Sequence, residues 1–182
     1  RSSGPIDPSY TQKTTKDNKA PSRAASSLPT EGITGPHLVF RDHQLYLQNS
    51  DGLKHNINFL NNKVDYQRKI LSRNKDPLYK ACGGQLGLSR VLDLTAGWGI
   101  DSIFLAHLGF DVTALEKQLE LFLLLRWGQN QLSQPNPPEL DMNETVSRVS
   151  FQYAEAKIFL QKLIEDTESG TQVEGPQVIY YD

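Results

Sequence analysis

Residues 91–117 read VLDLTAGWGIDSIFLAHLGFDVTALEK. The opening Val91–Leu94 is apolar except for Asp93, as in a strand buried on both faces. It runs into Thr95-Ala96-Gly97-Trp98-Gly99, where two glycines allow a tight turn and let a ligand come close to the backbone. A helix is expected over 100–108 and a second strand over 111–116, DVTALE. Working outward, the pattern repeats. A helix is expected over 117–130, a polar, proline-rich loop over 133–144 (SQPNPPELDMNE), a strand over 148–153 (RVSFQY), a helix over 155–166 and a strand over 177–181 (QVIYY). The first strand, over 90–95, makes four in all. Strands alternating with helices, joined by right-handed crossovers, give a parallel, doubly wound α/β sheet.

Upstream of the Gly83-Gly84 turn the composition changes twice. LVF at 38–40, QLYLQ at 44–48 and INF at 57–59, separated by turn-prone segments, predict a small β layer. Tyr66, Ile70, Leu71, Leu78 and Ala81 fall on one helical face, with Pro77 dividing the segment into two helices. Residues 1–36, rich in Ser, Thr, Pro, Gly and Lys, read as a disordered tail. The expected divisions are thus a tail (1–36), a small β/helical region (37–84) and the α/β sheet region (85–182).

With 182 residues, the chain has room for one domain plus a tail. It has no long apolar run and its first residues lack a signal-peptide core, so a cytoplasmic protein with no membrane partner is expected. One cysteine, Cys82, and four scattered histidines predict neither a disulfide nor a metal site. A net charge of −2 gives no global attraction for nucleic acid, so RNA contact would need a local patch.

The loop's chemistry narrows the ligand. A dinucleotide fingerprint calls for a third glycine at position 102, where this chain has Ser, and here an acid, Asp93, stands inside the strand. S-adenosylmethionine (SAM) carries an ammonium and a sulfonium instead of a pyrophosphate, so Asp93 and Asp101 suit it, and a nicotinamide cofactor is disfavoured. Glu116 ends the second strand, 17 residues after Gly99, where an acid can accept both ribose hydroxyls. Tyr153-Ala154-Glu155-Ala156, at the end of the third strand, would flank the adenine. The bland alternatives are loop bracing for Asp93 and a solvated helix start for Glu116. Trp98 either walls the ligand pocket or packs on the next helix.

These residues resemble the bacterial family of ribosomal RNA small subunit methyltransferase J, guanine-N2 methyltransferases marked by D-x-T-A-G-x-G-x-D. The similarity extends upstream through INFLNNKVDYQRKILSRNKDPLYKACG at 57–83, with Arg68, Lys69, Lys80, Ala81 and Gly83 in place, and covers roughly 38–182. The resemblance implies a Rossmann-like class I fold, SAM as cofactor, and ribosomal RNA or the small ribosomal subunit as partner. The implied cofactor residues are Asp93, Thr95, Ala96, Gly97, Gly99, Ile100, Asp101, Glu116, Lys117, Glu155, Ala156 and Asp182. Asp182, after strand four, is the implied catalytic residue, holding the exocyclic amine. Three departures stand out: Leu71-Ser72-Arg73-Asn74 replaces a glycine run followed by Arg, Ile100 stands where Arg is common, and Glu155-Ala156 stands where Ser is usual. The family continues past strand four with D-P-M-F-P, so the chain reads as an N-terminal portion carrying the first four strands.

Between 63 and 80 six basic residues face Asp65 and Asp76; Arg68, Lys69 and Arg73 among them are the candidate RNA contacts, with a solvated helix face as the alternative. The competing functions are methyl transfer to a protein or small molecule on the same fold, and a non-catalytic SAM- or RNA-binding module.

Overall fold

A computed structural model describes residues 35–59, 70–132, 140–170 and 175–182. The expected tail lies almost wholly outside these residues, as do Tyr66, Arg68 and Lys69.

Strand β1 (His37–Arg41) turns into β2 (Gln44–Gln48) through Asp42 and His43 alone, because Arg41 pairs with Gln44. Both turn residues have positive φ, 51° and 60°. That is the two-residue turn whose twist matches an antiparallel hairpin. The third strand is not the expected 57–59 but β3, Lys54–His55, paired with the end of β2. Ile57 and Phe59 go into the core instead, packed against Gly128, where an added Cβ would lie 2.8 Å from Ile57 Cγ2. One apolar face was legible in Ile-Asn-Phe, and a helix covers it as well as a neighbouring strand would.

A 3-10 turn (Ile70–Lys75) precedes the short helix α1 (Pro77–Ala81). The Asp76 carboxylate caps α1 by accepting from Leu78 N at 2.8 Å and Tyr79 N at 3.1 Å, and Pro77, lacking an N–H, opens the helix. Tyr79 is buried, donates its hydroxyl to Gly84 O at 2.9 Å and meets Phe110 at 5.5 Å between ring centroids, which fastens the cap to the sheet region.

The sheet has four parallel strands, β4 (Arg90–Asp93), β5 (Asp111–Glu116), β6 (Val149–Tyr153) and β7 (Val178–Tyr180), in the order β6-β5-β4-β7. Helices α2 (Ile100–His107) and α3 (Leu119–Leu132) contribute Ile103, Leu105, Leu124 and Leu125, all with no exposed surface, to a core shared with Val112, Ala114 and Phe151. The last helix, α5 (Ala156–Glu168), lies over the other face, where Phe159 and Leu163 with Thr113, Ser150 and Gln152 line an open groove. Among the described residues, no helix is long and apolar enough to cross a membrane.

The polar loop expected over 133–144 is in part a helix, α4 (Leu140–Ser147). LDMNETVS has few apolar residues, Leu140, Met142 and Val146, so the segment reads as polar in sequence and tertiary contacts hold it. Thr145 and Val146 are buried, Thr145 Oγ1 lies 3.2 Å from His107 Nδ1, and Gln129 Nε2 donates to Val146 O and Val149 O.

Gly99 sits where the chain passes from loop into α2, at φ +76° and ψ 9°. A Cβ there would lie 2.7 Å from Leu125 Cδ2 and 3.1 Å from Phe151 Cζ. Left-handed strain and overpacking add, so Gly99→Ala should cost about 2–4 kcal/mol in denaturant unfolding. An unchanged midpoint would mean that α3 and β6 yield to the methyl group.

Candidate functional site

The strand order reverses at β4, with β5 on one side and β7 on the other. In an open parallel sheet the crevice beyond the carboxyl ends of the strands at such a reversal is where ligands bind. The loop 94–99 fills that place and is stitched to both neighbours. Leu94 N donates to Tyr180 O at 3.0 Å on the β7 side, and Ala96 N to Leu115 O at 2.9 Å on the β5 side.

Asp93, at the end of β4, is 1% exposed. One carboxylate oxygen accepts from Thr95 N at 2.9 Å and the other from Ser102 Oγ at 2.5 Å, which ties strand, loop and helix together. Burial pushes its pKa up; the two hydrogen bonds oppose this, and Asp101 and Asp182 nearby add to it. Glu116, at the end of β5, is likewise buried and accepts from Gly97 N at 3.1 Å and Gln118 N at 2.7 Å. A carboxylate can accept about four hydrogen bonds, so each acid keeps capacity for a ligand.

Asp101 lies in the first turn of α2 and accepts from the Tyr180 hydroxyl at 2.8 Å, across to β7. Burial, then this bond and the charges of Asp101, Asp182 and Asp93, push the Tyr180 phenol well above its ordinary range. Thr95 Oγ1 lies 3.3 Å from both the backbone N and O of Asp182, so the residue after β7 is held beside the loop. Lys117 and Ile100 are exposed at the loop's flanks. Glu155 stands before α5 with no side-chain cap bond, followed by Ala156, at the end of the strand next to β5.

The predicted residues of β4, its loop, α2, β5 and β7 therefore converge on one crevice, with Glu155 and Ala156 one strand further out. Arg73 does not join them. Its guanidinium sits 4.7 Å above the Tyr79 ring and against Gly109, in the turn entering β5 at the opposite, amino-terminal end of the strands. Ser102 and Tyr180 escaped the sequence reading. Ser102 counted there only as a missing glycine, and Tyr180 only as a strand residue. A hydroxyl one turn into the helix after a buried strand acid is the signal that would have found Ser102.

The crevice fits a cationic ligand. Asp101 and Asp182 lie close enough to Asp93 to raise its proton affinity, and a positive charge relieves that repulsion. A Cβ built on Gly97, at φ +53°, meets only Thr95 O at 3.7 Å, so the loop surface there is open. Among the described residues, no three of His, Cys, Asp or Glu gather as metal ligands.

A Rossmann-like sheet with an acid-flanked glycine turn at the reversal defines a class, the SAM-dependent methyltransferases, and comparison with known proteins agrees. Residues 23–182 match the family described as "Putative SAM-dependent methyltransferase". The crystal structure of a SAM-dependent methyltransferase from Neisseria gonorrhoeae superposes with a TM-score of 0.65 at 25% identity, over 86% of this chain and 59% of that one. Ribosomal RNA small subunit methyltransferase J of Bdellovibrio bacteriovorus is 36% identical over 90 residues, 50% of this chain and 36% of its own length. Its namesake in Photobacterium profundum is 32% identical over 149 residues, 80% of this chain and 56% of its own. The chain belongs to this SAM-dependent methyltransferase family, the family of methyltransferase J, and S-adenosyl-L-methionine is the family's cofactor. It spans at most 56% of the length of these two relatives.

Because burial holds the Asp93 carboxyl above its ordinary value of 3.8, the folded chain binds that proton more tightly than the unfolded chain does. The contribution of Asp93 to stability is therefore greatest below the ordinary aspartate range and declines as pH rises through the raised value. Asn can still accept from Thr95 N and offer its amide to Ser102 Oγ. Asp93→Asn should consequently flatten this part of the pH profile: relative to the mutant, the wild type loses stability from acid to neutral pH. Denaturation midpoints across that range would show it, and a constant difference would refute it.

Proposed function

We propose that the chain supplies the SAM-binding half of an enzyme that methylates the exocyclic N2 amine of a guanine in 16S ribosomal RNA. The observation that carries this reading is the convergence of Asp93, Asp101, Glu116 and Asp182 on the glycine loop, in a chain that resembles methyltransferase J along most of its length. In this reading Asp101, oriented by Tyr180, holds the ammonium of SAM, Glu116 the ribose hydroxyls, and Thr95, Ala96, Gly97, Gly99 and Ile100 line the donor. Lys117, Glu155 and Ala156 border the adenosine. Asp93 acts chiefly by fixing the loop, since it is almost wholly buried and its two bonds join the loop to the first turn of α2.

Bound SAM supplies a methyl group already activated by its sulfonium. The chain's task is orientation. A guanine amine is a weak nucleophile because its lone pair is delocalised into the ring. Asp182 accepts one of its N–H bonds, aims the nitrogen, and takes the proton that the amine sheds. Ribosomal RNA would be met near this crevice. Arg73, together with Arg68 and Lys69, would serve as a second phosphate contact, in the case of Arg73 from the far end of the strands.

Calorimetric titration should detect SAM and not NAD. Asp101→Ala and Gly97→Ala should each weaken SAM at least tenfold, Gly97→Ala at a cost of about 1–2 kcal/mol in stability because its side chain would face open space. NAD binding in place of SAM would reject the cofactor assignment. For the acceptor, unmodified small-subunit RNA incubated with methyl-labelled SAM and the chain extended to its relatives' length should yield labelled N2-methylguanosine on nucleoside digestion. Label in protein or in another nucleoside would establish a different acceptor on the same fold.

A further inference from the structure

A second concavity lies beside the glycine loop, between it and the segment around β3. It holds about 380 Å³ and is lined by Lys54, His55, Asn56, Asn58, Trp98 and Ile100, over a floor of Ile57 and Phe59. That volume suits a small ligand group such as a nucleotide. Trp98 projects from between the two loop glycines and keeps 41% of its surface exposed, which burial on α2 would not leave. The His55 ring stands 5.7 Å from it, tilted by 54°, and Asn49 Nδ2 lies 3.4 Å from His55 Nε2, which steadies the imidazole from behind. Two aromatic faces are thus presented at the mouth of a polar cleft.

Charge separates this cleft from the crevice at the strand ends. The crevice gathers Asp93, Asp101, Glu116 and Asp182, whereas among the described residues no Asp or Glu lines the cleft and Lys54 stands exposed at its rim. Carboxylates suit the cationic donor; their absence, with an ammonium nearby, suits an anionic strand. Unpaired RNA bases are held in this way, by stacking on aromatic rings with a cation on the phosphate and amide groups at the base edge.

We propose that Trp98 and His55 form a stacking platform for an unpaired nucleobase of the RNA substrate, next to the methyl-transfer crevice, with Lys54 on the adjoining phosphate and Asn56 at the base edge. This inference rests on the RNA-methyltransferase reading and adds to it where the strand is gripped. In this reading Trp98 is a contact to the acceptor and not to the donor.

The test uses the chain itself and a fluorescently labelled single-stranded oligoribonucleotide of about ten nucleotides, with a duplex of the same sequence as control. Trp98→Ala should weaken single-strand binding roughly five- to hundredfold, Trp98→Phe should restore most of it, and duplex binding should change little. Lys54→Ala should lower the salt dependence by about one ion, and His55→Ala should leave SAM affinity, read by calorimetry, unchanged. No single-strand binding by the wild type, or equal binding by folded Trp98→Ala, overturns the platform. Loss of SAM affinity in Trp98→Ala with RNA affinity retained also overturns it, and assigns Trp98 to the cofactor side. Failure of the methyltransferase reading is separate: it appears as absent SAM binding by the wild type, whatever the RNA result.

Discussion

The buried carboxylate of Asp93 holds the end of β4, Thr95 of the glycine loop it leads into, and the first turn of α2 in one hydrogen-bonded unit. A strand and a helix joined by a glycine-rich turn have many ways to part; a single acid engaging Thr95 N and Ser102 Oγ removes most of them. Placing a carboxylate in an apolar interior costs solvation, and the raised proton affinity of Asp93 records that cost. What it secures is a loop of fixed shape, to which Glu116 adds a second anchor through Gly97 N. Around these two acids the neighbours β5 and β7 supply further loop contacts, Leu115 O and Tyr180 O.

How much of this was legible in the sequence follows from which forces act locally. The four sheet strands lie where apolar runs bounded by polar turns place them, because burial on both faces leaves a continuous signal. The acids at the strand ends were legible too, since a charge at the mouth of a buried strand is costly without a reason. The INF segment and α4 were misjudged for one shared cause: both are held by partners distant in sequence, Gly128 for Ile57 and Phe59, and His107 and Gln129 for α4. Tyr180 looked like an ordinary strand residue, and only the register of β7 against β4 reveals that its hydroxyl meets Asp101. Arg73 counted as part of a basic stretch, while its position above Tyr79 and against Gly109 depends on the folded cap.

The small β layer matters to the site through its docking. Ile57 and Phe59 pack on α3, and Phe59 stacks on Phe151 of β6 at 6.2 Å, so the layer is fastened to the same core that supports Gly99. His55 and Lys54, two and three residues upstream of Ile57, are thereby carried to the rim of the glycine loop. A hairpin that looks like an appendage in sequence forms one wall of a cleft next to the strand ends.

The two loop glycines answer to different masters. Gly99 is confined by Leu125 and Phe151, side chains of the interior, whereas Gly97 faces open space. Drift at one position is limited by how the interior can be refilled, and at the other by the outline of whatever small molecule rests on the loop. Paired changes at 99, 125 and 151 are thus the route by which descendants of this chain could repack without altering their ligand. A change at 97 alone is a route to a new ligand within an unaltered interior.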